Sequence, residues 1–221
     1  MQSSFSFIHR QQQLWLSPER CIFWEEQKAL ILSDLHFGKT GHFRKAGIPV
    51  PQHIYKEDLQ RLVQLIQYFQ PVNLIVVGDL FHSDDNKELD LFKKWRKDFE
   101  HLSIQLVKGN HDVLKDEWYR EANLTLHAEY LNVSPFAFTH DITKSINPNR
   151  EEQSYFFSGH IHPGISLKGA GKQSLRFSCF YFGKHFAVLP AFSKFTGTFL
   201  IEPKRSEPVF AIVENKIVQL Q

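Results

Sequence analysis

Seven residues of types that hold divalent metals, and one more that can move a proton, follow directly on apolar runs in this sequence. They are Asp34 and His36 in "LILSDLH", Asp79 in "LIVVGDL", Asn110 and His111 in "LVKGNHD", His140 in "FAFTHD", and His160 and His162 in "YFFSGHIH". Carboxylate, imidazole and amide oxygen together suit manganese, iron or zinc and not a thiolate site. Each piece alone has an ordinary explanation. Asp and His at a strand end are often just a turn, Gly-Asp commonly marks one, and a single His140 reads as a structural histidine. "GHIH" resembles half of a structural zinc site, but no Cys lies nearby to complete it. "GNHD" is more specific: at average residue usage it arises by chance in roughly one chain in a thousand of this length. What favours chemistry is the set, five times over, each behind its own apolar run.

The elements that must position these residues follow from the hydrophobic pattern. "KALILSD" and "NLIVVGD" read as buried strands ending on an acid, and "SIQLVKGNHD" repeats the pattern. Between them, Leu59, Leu62, Val63, Ile66 and Phe69 recur at helical spacing, with Pro51 near the start of that helix. Phe92, Trp95 and Phe99 mark a second helix, and "VLKDEWYREANL" a short third. Beyond it come aromatic-rich strands ("FAFTHD", "SYFFSGHIH", "SLRFSCFYFG", "FAVLPAF") and a final hairpin turning near Glu214 to Lys216. Alternating strand and helix implies a largely parallel sheet in the first half, and mostly strand follows in the second. Two packed sheets with helices outside fit best. Ligands in open α/β sheets gather at the carboxyl ends of strands, so the five strand ends can converge.

Composition narrows the classes. A chain of 221 residues, 42% hydrophobic, can bury a sizeable core as one large domain or at most two small ones. No run is long and apolar enough for a membrane helix. The polar start "MQSSFSFIHRQQQ" lacks a secretory core, and two cysteines make no disulfide framework, although a single bridge stays open. A cytoplasmic protein with no membrane association is expected. The formal charge of +2 does not announce a nucleic-acid binder, so anion binding must be local. Lys39, His42, Arg44 and Lys45 leave the strand end just after His36 and offer such a cluster for substrate phosphates. Lys168, Lys172, Arg176 and Lys194 are further candidates for a grip on DNA.

In this order the motifs D-x-H, G-D, G-N-H-D, H and G-H-x-H resemble the calcineurin-like metallophosphoesterases, from Asp34 to His162. "LSDLHFGKTGHFRKAGIPVP", "GDLFHS", "FSGHIHPG" and "LPAFSKFTG" further resemble the ligase-associated DNA damage response endonucleases, the PdeM group, related to SbcD-type nucleases. His82 stands where many family members carry an acid, which separates the chain from the protein-phosphatase branch. The resemblance implies one metallophosphoesterase domain over residues 1–221, an α/β four-layer sandwich of two mixed sheets flanked by helices. It implies two metal ions, one taking Asp34, His36 and His162, the other Asn110, His140 and His160, with Asp79 bridging. Manganese is expected first, with iron or zinc as alternatives. His111 would be a catalytic group and not a ligand, and Asp112 would orient its imidazole. Two cations about 3.5–4 Å apart can hold a hydroxide in line with phosphorus, while His111 supplies a proton or positive charge to the leaving group.

The implied function is a DNA endonuclease in repair, working with a DNA ligase, a helicase and an exonuclease. The alternative is a phosphodiesterase or pyrophosphatase on a small nucleotide, which the modest charge favours. A non-catalytic scaffold is disfavoured, because all seven ligands and His111 are present.

Overall fold

The computed structural model describes residues 4–37, 53–82, 86–145, 154–169 and 173–220. Among the described residues, sixteen strands form two mixed sheets. In the first, β1 (Phe5–His9), β2 (Gln12–Ser17), β3 (Cys21–Trp24) and β4 (Ala29–Leu32) make an antiparallel meander. Then β5 (Asn73–Val77), β6 (Ser103–Val107) and β7 (Thr125–His127) continue parallel to β4, in the order β1 to β7. The parallel half is the one the strand–helix alternation predicts. The meander was not anticipated.

The second sheet is built from β8 (Tyr130–Val133), β9 (Phe136–Thr139), β10 (Tyr155–Ser158), β11 (Pro163–Lys168), β12 (Ser174–Phe182), β13 (Phe186–Val188) and β14 (Phe199–Leu200). Their order is β14-β11-β12-β13-β10-β9-β8. The hairpin of β15 (Val209–Val213) and β16 (Lys216–Gln219) joins it through β12 and turns at Glu214 and Asn215, as the pattern predicts.

Alternation along the central strands divides the core in two. On β4 and β5, Ala29, Ile31, Ile75 and Val77 face the second sheet, while Leu30, Leu32, Leu74 and Val76 face outward. The outward set is covered by α1 (His53–Phe69), α2 (Asn86–Asp98) and α3 (Asp116–Glu121), which contribute Leu62, Leu65, Phe92, Trp95 and Tyr119. Of these, Leu62, Phe92 and Trp95 lie on the stripes that the helical spacing marks, and Leu65 and Tyr119 join them. Among the described residues the far side of the second sheet carries one helical turn, α4 (Ile142–Ser145), beside β10.

The inter-sheet core is largely aromatic: Trp24, Phe136, Phe138, Tyr155, Phe157, Phe180, Phe182 and Phe210 are all at most 1% exposed. Phe136 meets Phe157 edge-on at 5.0 Å, the arrangement the ring quadrupoles prefer. The buried Tyr155 hydroxyl donates to the carbonyls of Gly183 and Phe186 at 3.0 and 2.8 Å, so this core holds no orphaned phenol. Both cysteines are free and buried, and burial pushes each thiol up to about 12. Neither is disulfide-bonded, and neither is poised to bind metal.

A candidate metal centre where five strands end

β4, β5 and β6 run parallel in one sheet, and β9 and β10 run parallel in the other. Their carboxyl ends meet on the same edge of the sandwich. The segments after β4 and β5 travel side by side: Asp34 N–H donates to Gly78 O at 3.1 Å, His36 N–H to Asp79 O at 2.9 Å, and Phe37 N–H to Leu80 O at 2.9 Å. Across the sandwich, Ser193 N–H donates to Asp34 O at 3.2 Å, and His160 N–H to the Asp34 carboxylate at 3.1 Å. All seven predicted ligands are brought together.

The backbone adopts uncommon geometry to do so. Asp34, His36, Asp79, His160 and His162 have φ between 50° and 68°, the left-handed region that non-glycine residues seldom occupy. Strain of this kind persists where surrounding structure enforces it and marks functional sites. The glycines of the motifs have a steric reason as well. A Cβ on Gly109 would stand 2.1 Å from Asp79 Oδ1, and one on Gly78 (φ 80°) 2.1 Å from His140 Nδ1. The chain passes against the ligands too closely for any side chain.

Asp34, His36, Asp79 and His140 are buried and form the floor; Asn110 and His160 are exposed at the rim, with His162 between. One oxygen of Asp79 lies 3.4 Å from His140 Nε2, and the other 4.0 Å from His36 Nε2. Asp34 Oδ1 lies 3.2 Å from His162 Nε2. Ligand atoms of Asp34, His36 and His162 all fall within 4.8 Å of one another, as do those of Asp34, Asp79 and His140. His140 Nε2 further meets Asn110 Oδ1 at 3.1 Å and His160 Nδ1 at 3.2 Å.

These residues fit a divalent cation, on the chemistry of the donors themselves. His140 Nδ1 lies 3.1 Å from the Val77 carbonyl, so the proton belongs there and the Nε2 lone pair points inward, as second-sphere partners orient ligand histidines. That lone pair then confronts the oxygens of Asp79 and Asn110, and acceptors converge so only around positive charge. Without a metal, a proton on His140 would answer the same pressure. Burial disfavours charge on His140, yet Asp79, Asp34 and the Val77 carbonyl outweigh it and push its pKa up to about 9. Burial likewise opposes ionisation of Asp79, but His140, the His111 N–H and His36 hold its carboxyl down at about 2.

His111 sits beside this floor. Its N–H donates to Asp79 Oδ1 at 2.9 Å, and its ring centroid is 5.5 Å from that of His36. Among the described residues its nearest ring is His82, at 4.3 Å, which the sequence marks only as a departure from a family pattern. Asp112 does something other than the expected contact with the His111 ring. Its oxygens accept the Gly109 N–H at 2.9 Å and the Phe81 N–H at 3.1 Å. It therefore braces the turn between Gly109 and Asp112 against the segment after Asp79. Burial pushes its pKa up to about 6 against those two bonds. The basic residues Lys39, His42, Arg44 and Lys45, together with Lys172, lie outside the described residues.

The profile of the calcineurin-like phosphoesterases matches residues 28–196, a span that includes every candidate ligand. The chain belongs to that family. Members are metal-dependent phosphoesterases, and the donors described above are the residues that would hold the metal. Among curated proteins, none matches this sequence. The fold is similar to the crystal structure of the Pseudomonas putida nuclease MPE, with a TM-score of 0.83 and 26% identity over 99% of this chain and 100% of that one. Among the described residues, no helix is long and apolar enough to cross a membrane.

Proposed function

We propose that this phosphoesterase uses two metal ions and cuts DNA internally, in repair. The observation that carries the two-ion reading is Asp79, whose two oxygens face His36 on one side and His140 on the other. Asp34, His36 and His162 would hold one ion, and Asn110, His140 and His160 the other, with Asp79 within reach of both. Manganese suits these nitrogen and oxygen donors, as do iron and zinc. When bound, the ions supply an activated water and positive charge against the phosphoryl oxygens.

The chain's own residues do the rest. The N–H groups of His160 and His111 hold the carboxylates of Asp34 and Asp79 in place. The Val77 carbonyl fixes the tautomer of His140. His111, half-buried beside the floor, gives the leaving oxygen its proton or a positive partner. Asp112 keeps His111 in position through the Gly109 turn and does not touch the reacting atoms.

Similarity to a nuclease along the full chain supports a nucleic acid as the substrate, and the motif resemblance to repair endonucleases favours DNA. A place in the cytoplasm, with a DNA ligase, a helicase and an exonuclease as partners, goes with that reading. The formal charge of +2 favours the second reading, a small nucleotide ester. DNA binding releases counterions and weakens steeply with salt, which separates the two.

The test is hydrolysis by manganese-loaded protein of bis-p-nitrophenyl phosphate beside single-stranded, nicked and duplex DNA. Internal cleavage of DNA is expected. In His111→Ala, turnover should fall about 10²–10⁴-fold with both ions retained. DNA left intact while the small diester is hydrolysed would move the substrate to a nucleotide. Unchanged turnover in the variant would remove His111 from the mechanism.

A further inference from the structure

A cavity of about 590 Å³ opens beside the metal centre, with Asn110 and His140 in its wall. Anything that fills it lies against two of the candidate ligands. The cavity sits on the face of the second sheet turned away from the inter-sheet core. Register places Tyr130 opposite Thr139 and Phe156 opposite Ala137, while Phe138 and Phe157 point the other way. Tyr130 (40% exposed) and Phe156 thus offer aromatic surface to the cavity.

The charges in its wall cancel, Lys108 and Lys144 against Glu129 and Asp141. Lys144 pairs with Asp141 at 3.3 Å, and Lys108 is also held by Asp116, outside the wall, at 2.8 Å. A wall without net positive charge does not select a second phosphate. Aromatic faces beside carboxylate and hydroxyl acceptors complement a nucleobase and its sugar, since every base has a π-face and base–aromatic stacking tolerates sequence.

We propose that this cavity is the subsite for one of the two nucleosides attached to the scissile phosphate, with Tyr130 against the base. The proposal rests on the phosphodiesterase reading above and adds which part of the substrate is recognised, and where. It accounts for how a domain of small net charge selects a nucleotide: the metals take the phosphate, and the cavity takes its neighbour.

The experiment measures binding of thymidine 3′- and 5′-monophosphate, and of deoxyribose phosphate, to the manganese-loaded full chain by calorimetry. One nucleotide should bind more tightly than the baseless sugar phosphate. Tyr130→Ala should abolish that preference, weakening the nucleotide about 5- to 150-fold and leaving deoxyribose phosphate unchanged. Tyr130→Leu, which keeps bulk without a π-face, should do the same, with metal content unchanged in both variants. Equal binding of nucleotides and deoxyribose phosphate by the wild type, or equal losses on both in the variants, would overturn the subsite. The same protein is offered single-stranded DNA. Uncut DNA with the nucleotide preference intact overturns the DNA reading and leaves the subsite standing; cut DNA without the preference does the reverse.

Discussion

Gly109→Ala is the sharpest mechanical test of the site. The added methyl would stand 2.1 Å from Asp79 Oδ1 and 2.5 Å from the Asp79 backbone nitrogen, where ordinary contact begins near 3.4 Å. A backbone atom is among the clashing pair, so no side-chain rotation relieves it. Either the turn carrying Asn110 and His111 or the segment carrying Asp79 must move by roughly 1 Å. Ligand distances in metal sites hold to about ±0.2 Å, and a misplacement of about 1 Å costs on the order of 10² in rate. The fold itself should bear only the overpacking penalty, about 1–3 kcal/mol. The variant should therefore stay folded by circular dichroism, bind manganese more weakly by calorimetry, and lose about two decades of turnover on a chromogenic phosphodiester. Wild-type affinity and turnover in a folded Gly109→Ala protein would refute the close approach of Gly109 to Asp79.

Three further outcomes follow from other parts of the molecule. Asp79→Asn should lower occupancy at both metal positions, measured as metal per chain after dialysis; near-normal content would refute the bridging role. Arg61 is 7% exposed, lies 3.2 Å from the buried Asp58 and stands over the Phe192 ring at 4.0 Å. Arg61→Met should therefore cost about 3 kcal/mol in urea unfolding, because it takes the ion-pair partner from a buried carboxylate that keeps only Ser193, Lys194 and the more distant Arg20; a loss under about 1 kcal/mol would contradict that pairing. His9, packed edge-on to Tyr155 at 4.2 Å, has its pKa lowered by burial and by Arg10 to about 4. The unfolded chain then binds the extra proton between about pH 6.5 and 4, so stability falls as pH drops through that window. Allowing for partial exposure, the loss is about 1–2 kcal/mol; His9→Phe should flatten that part of the profile, and an unchanged slope would reject the assignment.

The candidate ligands were legible as a set because each is a local event, an apolar run followed within a few residues by an acid, an amide or an imidazole. The parallel arrangement of β4 to β6 was legible for the same reason. The meander from Phe5 to Trp24 was not, since its strands are four to six residues long and none alternates buried with exposed residues, between tight turns at Arg10, Gln11 and Arg20. β11 begins on Pro163 and Gly164, residues that read as a break, and becomes a strand by pairing with β12 on one side and β14 on the other. The Asp112 contact was misread because sequence adjacency to His111 suggested a side-chain partner. Its actual partners are backbone N–H groups, one of them 31 residues away. The cavity beside Asn110 was invisible for a related reason: Lys108, Tyr130, His140 and Phe156 share no motif and meet only through the sheet register.

The most direct measurement is anomalous diffraction from crystals of the manganese-loaded protein. Two peaks about 3.5–4 Å apart are expected, one against Asp34, His36 and His162, the other against Asn110, His140 and His160, with Asp79 between them. A single peak, or a pair that Asp79 does not touch, would contradict the two-metal account.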